Sequence, residues 1–254
     1  MPFHGLEIQP RHHLANPFLR SVVAQVSFPH LYEIESPGEQ ISTFQKSLAA
    51  DYPNALPREE AIFAISIGQT AQQNQSPPKG PYRFRSSDDR WLVSLSPEFV
   101  ALEVGTYDTF DEFESRLGDV LQVVADVLDP SAVGRVGLRY INEVQLGSND
   151  EWLSLFTPEL LGLFADDAVS GHMLQGAVQL TLALDDHFLT ARHGLVLSEE
   201  AKAYALDLDA FCSPTSAFSV DEILPRVRTL KQTCWSFFRA SVTSRFLEKA
   251  GASE

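Results

Sequence analysis

The chain has 254 residues, 44% of them hydrophobic and 21% charged, which is enough apolar material for two packed halves and too ordinary a balance for a disordered chain. Its 34 acids against 19 Lys and Arg leave a net charge of −15, spread over both halves, and a field of that sign argues against nucleic-acid and anionic-lipid partners. No apolar run approaches the roughly 20 residues that span a bilayer, and Met1–Gly5 opens without the basic and apolar pattern of a signal peptide, so a cytoplasmic protein is expected.

Residues 1–16 lack periodicity and read as an N-terminal arm. Ser21–Phe28 is rich in Val, is bounded by Pro29 and predicts a strand. Ser36, Pro37 and Glu39 have the order of an N-cap, a first-turn proline and a capping-box acid, ahead of Ile41, Phe44 and Leu48 at helical spacing. A strand at Ala61–Ile67 and a polar loop over Gln69–Pro81 follow. Tyr82–Arg85, Trp91–Leu95 and Phe99–Val104 then alternate in polarity around short turns, as antiparallel strands do.

Thr109 and Glu112 form a capping box. Phe110, Phe113, Leu117, Val120, Leu121 and Val124 line one face of the helix it opens, and Asp129-Pro130 ends that helix near Leu128. Gly134–Leu146 reads as a return strand. The second half opens with Ser148 and Glu151 as a further capping box and a helical stretch through Trp152, and Thr157-Pro158 starts a short helix ending near Ala165. Leu174, Gly176, Val178, Leu180, Leu182 and Leu184 alternate with polar or small residues, the pattern of a half-buried strand. Phe188–Leu197 and Ala203–Phe211 complete a meander. Ser219 and Glu222 cap a last helix running to about Lys249, with a break or kink at Pro225 and a buried stripe of Val227, Leu230, Cys234, Phe238, Val242 and Phe246. Cys212 and Cys234 are the two cysteines. The core spacing of Cys234 predicts a buried free thiol rather than half of a disulfide.

This order of elements predicts an α+β fold: one or two antiparallel sheets with long helices packed across their faces. It gives two related-looking halves, 17–147 and 148–254, each a meander followed by a long helix, though one continuous domain satisfies the same order.

The segment RVGLRYINE at Arg135–Glu143 stands out, together with NPFLRSVVAQVSF near the start, YDTFDEF from Tyr107 and LDLDAF at Leu206–Phe211. In these segments the chain resembles a sporadically distributed family of uncharacterised bacterial proteins of about 250 residues that share an RxGLRYIN segment. The resemblance implies a bacterial cytosolic accessory protein with a mobile or conflict-related role. It implies no activity and no catalytic residue.

The sequence holds none of the dinucleotide, P-loop, nucleophile-elbow or zinc-protease motifs, and no Cys/His ligand spacing. No cofactor, metal or catalytic residue is assigned. Arg135, Arg139 and Glu143 share a face of one strand, as do Asp207 and Asp209 of another. Such residues either clamp an anion or metal or pair across the sheet, and pairing is favoured. Asp185, Asp186, His187 and His193 read as turn chemistry rather than a metal cluster. Arg83, Arg85 and Arg90 read as a solvated hairpin face.

From Ile223 to Leu247 the last helix has basic residues and no acid. Arg228, Lys231, Trp235 and Arg239 form a stripe suited either to an anionic ligand or partner, with Trp235 as anchor, or to internal pairing, which is favoured. The expected function is a non-enzymatic binding protein of a bacterial accessory or defence-type system acting through a protein partner, with a homodimer compatible with it. The alternatives are an enzyme built on the Arg135/Arg139 strand and nearby acids, and a small-ligand sensor with a pocket between sheet and helix.

Overall fold

The computed structural model describes residues 13–14, 18–58, 80–146, 150–170, 172–197 and 202–253. The expected strand at Ala61–Ile67, most of the polar loop after it and the capping Ser148 lie outside these residues. In chain order the elements begin with β1 (His13–Leu14), β2 (Leu19–Ser27), α1 (Glu39–Leu48), β3 (Asn54–Leu56), β4 (Tyr82–Arg85), β5 (Trp91–Ser96), β6 (Phe99–Val104), α2 (Phe110–Leu128) and β7 (Val136–Gln145). They continue with α3 (Pro158–Leu161), α4 (Asp167–Ser170), β8 (Gly176–Ala183), β9 (Phe188–Leu197), β10 (Lys202–Cys212), α5 (Val220–Ser241), α6 (Ser244–Lys249) and β11 (Ala252–Ser253). The fold is mixed α+β, built on an antiparallel nine-stranded sheet of order β3-β4-β5-β6-β2-β7-β10-β9-β8, while β1 pairs with β11. The chain divides into two compact units: 21–138 with 211–230, and 139–210 with 231–254 and the described residues of 1–20.

In the first unit, register stacks apolar residues across neighbouring strands. Ala24 faces Leu102, and Leu102 faces Val93, which faces Phe84. The row through Val22, Val104 and Trp91 lies on the same face, since positions two apart share a side. Phe44 of α1 meets Phe84 at 5.7 Å, and Phe113 of α2 meets Trp91 at 6.0 Å. Of the expected α2 stripe, Phe113, Leu117, Val120, Leu121 and Val124 are wholly buried and Phe110 is half-buried. Its start is the one the capping box predicts, with the Thr109 hydroxyl accepting from the Glu112 N–H at 3.2 Å. At α1 the expectation fails. The N-cap is Gly38 with no side-chain bond, because Ser36 and Pro37 lie in the bend that leaves a 3-10 turn at Tyr32–Ile34.

The core of the second unit is aromatic. Tyr204 of β10 packs against Trp152 at 5.0 Å, Phe156 at 4.7 Å and Phe164 at 5.7 Å, while Phe246 meets Phe18, Phe156 and Phe238. The helical stretch expected through Trp152 is a 3-10 helix, Asp150–Leu155. Thr157-Pro158 does start α3, and a 3-10 turn carries the chain to Ala165.

The last helix also differs. It does not end at Pro225, which lies inside the helix and, lacking an N–H, leaves one backbone bond of that turn unmade. It breaks instead at Val242–Thr243, where Val242 bridges to Phe156 and the Thr243 N–H leaves the helix to bond the Leu155 carbonyl at 3.0 Å. The Thr243 hydroxyl accepts from the Phe246 N–H and starts α6. The predicted stripe from Val227 to Phe246 is buried along its length.

Candidate functional site

Two features of the second unit concentrate chemistry. The first is a charged cluster on one face of β7, β10 and β9. Asp207 is 2% exposed and accepts from Arg139 Nε and Nη2, each at 2.7 Å, in a bidentate fork. Arg192 Nη1 donates to the same carboxylate at 3.3 Å, and Arg192 Nε donates to Gln179 Oε1 of β8 at 2.9 Å. One buried carboxylate thus neutralises two guanidinium groups in part, and their hydrogen-bonding edges are turned inward. The arrangement is a cross-strand ion-pair ladder.

Of the other residues expected on these strands, Glu143 and Arg135 have contacts elsewhere. Glu143 pairs with Arg20 at 3.6 Å, and Asp209 is half-buried on the β10 face that holds Asp207. In the first unit Arg135 lies over the Phe211 ring at 4.6 Å, and its guanidinium occupies the space where any residue but glycine at position 137 would place a Cβ. The stripe of the last helix is dispersed as well. Arg228 donates to Glu114 at 2.6 Å, Lys231 and Trp235 are half-buried, and Trp235 packs on Phe238 at 5.7 Å. Arg239 is half-buried, its Nε has no hydrogen-bond partner among the described residues, and burial lowers its pKa.

The histidines are structural in their contacts. His187 bonds Asp186 and the Thr233 hydroxyl, each at 2.7 Å, tying the β8–β9 turn to α5. His193 shares a 2.8 Å hydrogen bond with the Tyr204 hydroxyl, and burial pushes its pKa down and that of Tyr204 up. Burial likewise raises the pKa of the Cys234 thiol, and among the described residues both cysteines are buried and form no disulfide. Among the described residues no group of three or more His, Cys, Asp and Glu could hold a metal ion.

The second feature is a groove beside β8, with a volume of about 560 Å³. Its walls are Leu160–Phe164 of α3 and the following turn, Val178 and Leu180 of β8, His193 of β9, and Phe237 and Ala240 of α5. Gly194, at φ +156°, holds β9 so close to β8 that a Cβ there would strike the Gly176 carbonyl. Around the groove, Leu163 is 67% exposed, Leu174 75% and Val178 40%. Leu174 was expected within the strand and lies just outside it, as β8 begins at Gly176. Among the described strands β8 pairs with β9 alone, so its other edge carries no ladder partner, and its sequence GAVQLTLA holds no charge.

Arg192, Gln179 and this groove were missed from sequence. Two signals for the groove were present: an eight-residue strand without a charge, and the absence of any Lys or Arg from residue 140 to residue 191. The chain matches no protein-family model and no curated protein.

Proposed function

We propose that this chain is a non-enzymatic binding protein of a bacterial accessory or defence-type system that acts by holding a protein partner. The observation that supports this reading best is the uncharged β8 edge beside exposed Leu163, Leu174 and Val178. Long edge strands in isolated proteins are blunted by charge, proline or a bulge, because an unpaired ladder invites another chain. Strand addition at such an edge, with side chains entering an adjacent groove, is a recurrent mode of peptide recognition. The Arg139–Asp207–Arg192 cluster gives the enzyme alternative little support, since its one carboxylate is already held by two guanidinium groups. The resemblance through the RVGLRYINE segment supports the bacterial accessory setting. The order of elements, β4–β6 with α2 and then β8–β10 with α5, supports reading the two halves as related. Among the described residues no helix is long and apolar enough to cross a membrane.

Affinity capture from the native host, comparing the wild-type chain with Leu163→Lys/Val178→Lys, tests the reading. A stoichiometric protein retained by the wild type and lost from the variant is the expected result. Capture of nothing above background, with a small molecule copurifying in native mass spectrometry, would favour a ligand sensor built on the same groove.

A further inference from the structure

We infer that the groove beside β8 receives an extended, cationic segment of the partner, added as a strand to β8 with an apolar side chain in the cavity and Lys or Arg against the surrounding acids. The inference rests on the protein-binding reading and names the chemistry of the occupant.

Three observations carry it. The apolar wall of Leu161, Phe164, Val178, Leu180 and Phe237 encloses a volume suited to apolar side chains rather than to a charged head group. The β8 edge that no described strand pairs offers a row of backbone donors and acceptors, which an extended segment satisfies and a helix does not. Finally, every Asp, Glu, Lys or Arg between residue 140 and residue 191 is acidic. Glu159 lines the groove, while Asp166 and Asp185 lie exposed beyond the ends of its wall and of β8, and none of the three has a cationic partner among the described residues. An apolar side chain in the groove, with Lys or Arg two or four places along on the same face of the added strand, therefore matches both the groove and the acids at its rim.

A second copy of this chain fits less well. Pairing β8 with β8 would set these acids against an identical acidic set, in a molecule already at −15.

The test uses the full chain and a fluorescein-labelled decapeptide with Val or Leu at its centre and Lys towards both ends, followed by anisotropy. Expected is saturable one-to-one binding, about tenfold tighter than for the same peptide with Glu at each Lys, weakening about tenfold between low and moderate salt. Amides along β8 should gain hydrogen-exchange protection when the peptide is added, a readout independent of any variant. Glu159→Gln/Asp185→Asn should weaken binding about three- to tenfold, and Leu163→Lys/Val178→Lys should remove it with thermal unfolding unchanged, as these side chains are exposed.

Equal binding of the two peptides, protection that appears elsewhere than at β8, or a chain that dimerises through β8 and excludes both peptides would each overturn the inference. A captured partner that depends on Val178, with no binding of the Lys peptide, would remove the inference and leave the protein-binding reading standing. Peptide binding with no captured partner would count against the protein-binding reading, and with it the inference, while leaving the preference of the groove for a cationic strand.

Discussion

Asp207 binds two guanidinium groups, and replacing it would leave both with an unanswered charge in a place where water reaches only in part. Asp207→Asn should therefore cost about 3 kcal/mol, the lower end of the range for breaking a buried pair, because Arg139 and Arg192 keep some contact with solvent. Arg139→Met should cost less, since Arg192 still answers the carboxylate. Urea unfolding of the two variants checks the order, and equal losses would show that the pair with Arg139 dominates. His193 adds a pH dependence. Burial holds its folded pKa below 6.5, so the unfolded chain binds a proton first as pH falls. Its stabilising contribution is complete above the unfolded pKa of 6.5 and is lost on acidification towards the folded pKa. Exposed His30 has the opposite sign. Glu35 and Glu98 raise its pKa, so its contribution is present below 6.5 and fades as pH rises through the folded value. Solvent screens His30, so the melting temperature should fall from pH 7.5 to pH 5.5, and His193→Gln should flatten that fall. Arg139 and Asp207 were nameable from sequence because alternation fixes which residues of one strand share a face. Arg192 was not, because its place depends on the register between β9 and β10, which alternation within a strand leaves undetermined.

At the scale of elements, the most legible were those whose local chemistry and burial agree. For α2 the capping box, the apolar stripe and the Asp129 stop coincide, and the helix runs Phe110–Leu128 with Asp129 in the left-handed region at φ +43°. Phe113→Ala should cost about 3–5 kcal/mol, as the ring is fully buried against Trp91 and Tyr107. Thr109→Ala should cost about 1 kcal/mol, for the loss of one cap bond. Chemical denaturation separates these, and a smaller loss at Phe113 than at Thr109 would contradict the packing. The failures came where tertiary contacts overrode a local signal. Ser36 had the chemistry of a cap, yet the turn before it delays the helix to Glu39. The buried stripe runs unbroken past Val242, so the break between α5 and α6 was invisible until Phe156 and Leu155 supplied the competing bonds. Leu174 fitted the alternation of β8 and is exposed all the same, because a period of two does not say what covers a face. The groove was illegible for the same reason: its walls come from four separate stretches of chain.

For the molecule as a whole, the excess of acids matters more than any one ion pair. Arg228–Glu114 and Arg245–Glu151 have exposed basic partners, and the first contributes about 0–1 kcal/mol. Added salt weakens them. It also screens the repulsion among 34 acids opposed by 19 bases, and that repulsion acts on every acid at once, including the run from Glu143 to Asp186 that has no base within it. The two effects have opposite signs, and the imbalance of charge decides between them. Sodium chloride raised to a few tenths molar should therefore increase the melting temperature, by about 2–4 °C for each kcal/mol of repulsion relieved in a chain of this size. Chloride is the right probe, because sulfate would stabilise by exclusion from the surface whatever the charge. Arg228→Ala supplies the control: it should cost no more than about 1 kcal/mol in low salt and less in high salt. A melting temperature that falls as chloride rises would mean that the exposed pairs outweigh the net charge, and Arg228→Ala would then have to cost several times more than expected.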